Sequence, residues 1–152
     1  MATEASGQIR KIHGACHCGN IRFVFHWPGA GDSIPVRACG CSFCIKHRGV
    51  WTSNPNGRVE LSIDDPSQVN RYRFGTGTAD FHICSNCGVA PIVTSDIEGS
   101  SYAVVNANCF DDVERSELVE SASDFDDEAT DARLSRRQLN WSPLDTVENA
   151  NL

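Results

Sequence analysis

Seven of the eight cysteines fall into three tight groups: Cys16-His17-Cys18-Gly19, Cys39-Gly40-Cys41-Ser42-Phe43-Cys44 and Cys84-Ser85-Asn86-Cys87-Gly88. No other feature of the chain constrains its fold as strongly. Two thiolates separated by one or two residues can turn toward one metal ion at the Zn–S distance of about 2.3 Å, and a Gly after the pair eases the chain reversal. In a secreted chain the same spacing would suggest disulfides. Here no positively charged start leads into an apolar stretch, and no run approaches the roughly 18 apolar residues of a spanning helix. The expected setting is therefore cytoplasmic, with reduced thiols that bind metal.

The pairs combine most simply as two plus two. Cys16 and Cys18 with Cys84 and Cys87 would close a tetrahedral shell that clamps chain segments far apart in sequence, and a closed shell has a structural role. Ligation lowers the thiol pKa and contributes folding free energy to a small core. Cys39, Cys41 and Cys44 remain. Three ligands leave one position for water, a substrate thiol or a fourth residue, which is the arrangement catalytic zinc needs. The competing reading is a second closed site completed by Cys109, His47 or His82, which spacing does not exclude. A disulfide or bare thiols here are less favoured, because adjacent unbound thiolates repel and oxidise readily. Cys109 follows an apolar strand and is by default a buried small hydrophobe, its alternative being a ligand or a nearby thiol.

At 152 residues the chain fits one domain. Strand-like runs dominate. Ile21-Arg22-Phe23-Val24-Phe25 is rich in β-branched and aromatic residues, and Trp27-Pro28-Gly29-Ala30-Gly31-Asp32 reads as the loop after it. Val50-Trp51-Thr52 and Val59-Glu60-Leu61-Ser62-Ile63 flank Asn54-Pro55-Asn56-Gly57, a hairpin signal in which the Gly supplies a positive φ. Residues 69–74, 90–94 and 102–106 add further runs, for about seven short strands. The expected fold class is mainly β with a short C-terminal helix. Residues 1–11 read as a flexible arm, with the first ordered element near Ile12. Residues 12–112 read as a zinc-binding domain, and 113–152 as an acidic tail. Within that tail 128–139 is expected to be helical, led in by Thr130 or Asp131, with Trp141 and Leu134 or Leu139 docking it on the core.

With 13 Lys and Arg against 20 Asp and Glu, the net charge of -7 opposes attraction to nucleic acid or anionic membrane. A small-molecule substrate becomes the expected partner, with no nucleic acid and no membrane, on a monomer or homodimer.

The series C-x-C-G, C-x-C-x-x-C and C-x-x-C-G, followed by a strand ending in Asn106-Ala107-Asn108-Cys109, resembles the glutathione-dependent formaldehyde-activating enzymes, a family with a centromere protein among its relatives. The likeness spans about residues 14–112, and Arg133-Leu134-Ser135-Arg136-Arg137 with Asn140-Trp141 resembles one branch of the family. It implies twisted antiparallel sheets around a structural zinc, a fold similar to that of a chaperone-like nucleotide-exchange modulator. It also implies two Zn2+ per chain: a structural ion on Cys16, Cys18, Cys84 and Cys87, and a second on Cys39, Cys41 and Cys44 beside a pocket. The implied activity forms S-(hydroxymethyl)glutathione from formaldehyde and glutathione, with glutathione as cosubstrate. It is classed as a carbon-sulfur lyase because the reverse direction breaks that bond.

On this reading a substrate thiol or water sits at the open position beside Cys39, Cys41 and Cys44 and is activated toward an electrophilic carbon. The alternatives are hydrolysis at a carbonyl or imine carbon and a non-enzymatic zinc module. Other residues carry weaker signals. His82 lies two residues before Cys84, with Asp80 able to orient it, though most such histidines only occupy strand faces. Lys46 and His47 could guide an anionic substrate, His17 is expected to point outward, and Arg71 and Arg73 share a strand face where a glutathione carboxylate could bind.

Overall fold

The computed structural model describes residues 8–29, 33–125 and 128–146. Residues 1–7 of the expected arm and 30–32 of the expected loop lie outside that range. Strands β1 (Ile9–Ala15) and β2 (Ile21–Pro28) form the first antiparallel pair, with Ile12 opposite Phe25 and Gly14 opposite Phe23. Ile21, Phe23 and Phe25 alternate inward, the period-two burial of a strand with one face on a core. A Cβ at Gly14 would stand 2.2 Å from the Phe23 ring, so this site requires glycine for space. The chain continues through β3 (Ile34–Cys39), the short helix α1 (Ser42–His47), β4 (Val50–Thr52) and β5 (Arg58–Ile63). Then come β6 (Val69–Tyr72), β7 (Asp80–Cys84), β8 (Ile92–Ile97), β9 (Ser100–Asn106), β10 (Leu118–Ser123), α2 (Thr130–Asn140) and β11 (Ser142–Thr146).

These eleven strands among the described residues join in the order β1-β2-β5-β11-β9-β4-β3-β10, with β8, β7 and β6 branching from β9. The mainly β class expected from the sequence is therefore the class observed, with more strands than the seven anticipated. Two details of the strand reading are corrected. The segments β4 and β5 form no hairpin: β4 pairs with β3 and β9, and β5 with β2 and β11. The C-terminal strand β11 sits between β5 and β9, and Ser142 holds the intervening turn through Asn54 N–H donating to its Oγ and its Oγ donating to the Asn54 carbonyl, both at 2.8 Å. Gly57 is not in the left-handed region; its Cβ would stand 2.5 Å from the His26 carbonyl, so close approach is what excludes a side chain.

The ladder is also not purely antiparallel, since β10 runs parallel to β3 and β11 parallel to β5. Both parallel partners come from the acidic tail. Helix α2 does begin at Thr130, but Ala129 holds the cap position and makes no side-chain cap. Trp141 is buried as expected, whereas Leu139 is 72% exposed and takes no part in docking. Strand β1 starts at Ile9, ahead of the expected Ile12. No helix among the described residues is long and apolar enough to cross a membrane.

The main core gathers Ile12, Ile21, Phe23, Phe25, Val59, Leu61, Ile92 and Val105 with Cys16, Cys84 and Cys109. A second cluster packs Cys44, Trp51, Val93, Val104 and Trp141. One cysteine group is thus rooted in each.

Candidate metal centres and an adjoining cavity

Two turns of the same design bring the first group together. After β1, Cys16 N–H bonds the Ile21 carbonyl at 2.9 Å and Gly19, at φ 87°, donates to the Cys16 carbonyl at 3.1 Å. After β7, Cys84 N–H bonds the Val89 carbonyl at 3.0 Å and Gly88, at φ 82°, donates to the Cys84 carbonyl at 2.7 Å. Each glycine occupies the left-handed region that L side chains avoid, so each turn can close behind its cysteine pair. The four Sγ atoms of Cys16, Cys18, Cys84 and Cys87 lie within 4.8 Å of one another. Cys16 to Cys18 measures 3.8 Å and Cys18 to Cys84 3.5 Å. A tetrahedron with Zn–S of about 2.3 Å has edges of about 3.8 Å, so these thiols fit one zinc ion. Their protonation preferences are split. The Cys18 thiol is drawn down to about 6 by donation from the Asn86 side chain and then the Asn20 N–H, whereas burial pushes Cys16 up to about 12. A bound dication would reverse that burial penalty.

The second group comes from one short segment. Cys39 ends β3, Cys41 caps α1 with its Sγ accepting the Cys44 N–H at 3.3 Å, and Cys44 lies in the helix. Their Sγ atoms also lie within 4.8 Å of one another. Trp51 reaches across from β4 and donates its indole N–H to Cys44 Sγ at 3.3 Å. The Cys44 thiol is raised by its hydrogen bond with Cys39 and then by burial, and the Cys41 thiol is raised chiefly by burial. Neither ionises readily without a cation. Among the described residues no His, Cys, Asp or Glu completes this group.

These three thiols line a cavity of about 610 Å³, a volume in the range that holds small molecules. Its apolar wall includes Trp51, Phe74, Phe81, Val93, Val104 and Trp141, and its polar wall carries Arg37, Arg133, Arg136, Arg137 and Glu128.

The residues that the competing closed-site reading would use to complete the second group stand elsewhere. Cys109 is buried in the main core, where burial and then the nearby Cys16 raise its thiol to about 12. His82 is buried with Nε2 against Thr94 Oγ1 at 2.8 Å, and burial lowers its pKa to about 4. Asp80 does not orient it but pairs with Arg73. His47 stacks on Phe43 with centroids 5.0 Å apart, Lys46 is exposed, and His17 is exposed as expected. Arg71 and Arg73 are exposed and do not line the cavity.

The arginines that do line it were missed in their functional sense. Two signals could have found them: Arg37 and Cys39 share one face of β3 by the two-residue period, and Arg133, Arg136 and Arg137 share one face of α2 at helical spacing.

The protein can now be placed among known ones. A crystal structure of a Rhodobacter sphaeroides protein matches with a TM-score of 0.53 and 24% identity, covering 72% of this chain and 99% of that one. At that identity the likeness bears on fold alone. The model of the family described as glutathione-dependent formaldehyde-activating enzyme matches residues 11–127, a span that contains both cysteine groups and ends before α2. On that match the chain belongs to the glutathione-dependent formaldehyde-activating enzyme family.

Proposed function

We propose that this chain is a zinc-dependent enzyme acting on adducts of a thiol with a small carbonyl compound, glutathione and formaldehyde being the pair in the family's description. The observation that carries the reading is the placement of Cys39, Cys41 and Cys44 on a cavity with no fourth described ligand. Cys16, Cys18, Cys84 and Cys87 would then hold a structural ion at the edge of the main core, to which Cys16 and Cys84 belong. A zinc ion on Cys39, Cys41 and Cys44 would supply Lewis acidity and stabilise an incoming thiolate.

The protein's own residues do the rest. The Trp51 indole N–H and the Cys44 backbone N–H donate to the sulfurs of Cys44 and Cys41 and fix where they point. Phe74, Phe81, Val93 and Val104 give the cavity an apolar wall for the carbon part of a substrate. In the synthetic direction the thiol sulfur adds to the carbonyl carbon, the carbon-oxygen π pair moves to oxygen, and the thiol proton ends on that oxygen. The reverse breaks the carbon-sulfur bond, which is lyase chemistry. A cytoplasmic setting would supply the thiol, and the chain's net charge of -7 suits a small-molecule partner better than nucleic acid.

The test is zinc content by elemental analysis for the wild type and Cys39→Ser, with glutathione and formaldehyde titrated into the wild type. We expect two zinc ions falling to one, and a thiol-dependent change confined to the wild type. One zinc in both proteins with no response to thiol would overturn the reading.

A further inference from the structure

The polar wall of the cavity is at odds with the rest of the molecule. The chain carries a net charge of -7, yet four guanidinium groups line this one space, and Glu128 is the one carboxylate among its described lining residues. Glu128 is taken up by Arg136, whose Nε lies 3.1 and 3.0 Å from its two oxygens while the guanidinium stacks 3.7 Å over Phe125. The other three cations are held by neutral groups. Arg137, only 7% exposed, donates to the Thr78 carbonyl, Thr78 Oγ1 and Ser95 Oγ at 3.3, 2.8 and 3.2 Å and lies 4.9 Å over Trp141. Arg133 donates to the Phe125 and Glu128 carbonyls at 2.6 and 3.3 Å, and Arg37 to Ser53 Oγ at 3.2 Å. The Nε groups of Arg133 and Arg137 are buried without any partner.

Such an arrangement is costly on its own. Arg137 is buried, Arg133 and Arg37 are half-buried, and the four cations share the one described lining carboxylate, that of Glu128. Burying a cation is costly unless it is well paired, and like charges on adjacent turns of one helix repel. An apolar residue at Arg137 would pack against Trp141 without that cost. Planar guanidinium forks match carboxylate geometry, and an anion entering the cavity would relieve the repulsion among these cations.

We propose that Arg133 and Arg137 of α2, with Arg37 of β3, form an anion-recognition site, and that the small molecule handled beside Cys39, Cys41 and Cys44 carries a carboxylate. This rests on the proposed role of the cavity as the substrate's place, and it adds the substrate's chemical class. The carboxylate can come from the thiol partner, as in glutathione, or from the carbonyl partner, as in an oxoacid.

The experiment uses zinc-loaded protein and the fluorescence of Trp51 and Trp141, which line the cavity. S-methylglutathione, which has no thiol proton, is compared with its dialkyl ester, and glyoxylate with formaldehyde. At least one acid should bind about tenfold more tightly than its uncharged counterpart, with an advantage that shrinks as salt is added. Which pair shows the margin identifies the source. Arg133→Gln should remove the margin and Arg137→Lys should reduce it, with zinc content and melting behaviour as folding controls. Should Arg133→Gln fail to fold, Arg37→Gln carries the same expectation. Equal binding of acid and uncharged compound, or a folded, zinc-replete Arg133→Gln protein that keeps the margin, would overturn the site. If glutathione and S-methylglutathione bind alike while both outbind the ester, the anion site stands and the thiol reading falls.

Discussion

The four-cysteine cluster draws its ligands from two turns, with Cys18 and Cys84 separated by 66 positions, whereas Cys39, Cys41 and Cys44 sit within one short stretch. Cys16 and Cys84 are 3% and 0% exposed and belong to the main core, while Cys18 is exposed and Cys87 half-buried. Cys44 is buried in the second core cluster and Cys39 and Cys41 are half-buried, and all three line the cavity. This difference separates two uses of the same ligand chemistry. Ligands spread along the chain make metal binding part of folding, because the site does not exist until β1, β2 and β7 have met. A local ligand set is preorganised by its own turn and helix, so an ion held there could be lost while the sheet stays intact.

The sharpest way to break that comparison is to remove one ligand from each cluster. Cys84→Ser should abolish the four-thiolate shell and leave a buried hydroxyl in the core, costing several kcal/mol and so much or all of the stability of a small domain. We expect little folded protein, or a melt lowered far beyond that of Cys39→Ser, which should stay near the wild type. Circular dichroism melts of both purified variants give the answer. Equal effects of the two substitutions would show that the clusters do not divide the work as their positions suggest.

The grouping of the cysteines was legible in the sequence to a considerable degree. The 2 + 3 + 2 spacing of Cys16 to Cys87 identified both groups, and they assemble as the pairing of knuckles anticipated. The β-rich runs around Phe23, Leu61 and Val105 marked the core strands, because alternation survives wherever one face is buried. What stayed hidden was set by tertiary pairing. Leu118–Ser123 carries no apolar alternation and is a strand only because β3 offers it a parallel edge. The turn at Asn54-Pro55-Asn56-Gly57 carries hairpin chemistry, yet β9 and β11 both insert between the strands it would have joined, a pairing set by segments far along the chain. The arginines were visible as charges. Their meaning depends on α2 packing over the cavity, so spacing within the helix could show a common face but not what that face meets.

A medium-sized effect should separate the clusters further through Trp51. Its indole N–H donates to Cys44 Sγ at 3.3 Å, and it is 5% exposed, so the bond is shielded from water. Partners of metal ligands commonly set affinity by about 10- to 100-fold. Trp51→Phe keeps an aromatic ring against Phe81 but removes the donor. We expect zinc at the three-cysteine group to bind about tenfold more weakly and the four-cysteine group to be unchanged, read by competition with a chromogenic chelator. Loss of affinity at both would mean that the second core couples them, and no loss at either would remove Trp51 from the metal's support.

The smallest effect concerns the turn that both regions share. Arg73 and Asp80 bracket residues 74–79, several of which line the cavity, and β7 runs from Asp80 to the buried Cys84 of the four-cysteine group. The guanidinium holds the Asp80 carboxyl below its ordinary 3.8, so the folded protein is the weaker proton binder. The ion pair's contribution is therefore complete above the unfolded value of 3.8 and disappears as pH falls through the lower folded value. Because the Arg73 side chain is 61% exposed, solvent and salt screen the pair and the effect at neutral pH should be slight. Arg73→Ala should melt just below the wild type near neutrality, with zinc retained there at the four-cysteine cluster, and together with it once Asp80 is protonated. A gap that persists in acid would mean that Arg73 acts by packing over the turn. Zinc loss from Cys84 and its partners near neutrality would mean that the cavity wall and the four-cysteine cluster are less independent than their places in separate core clusters imply.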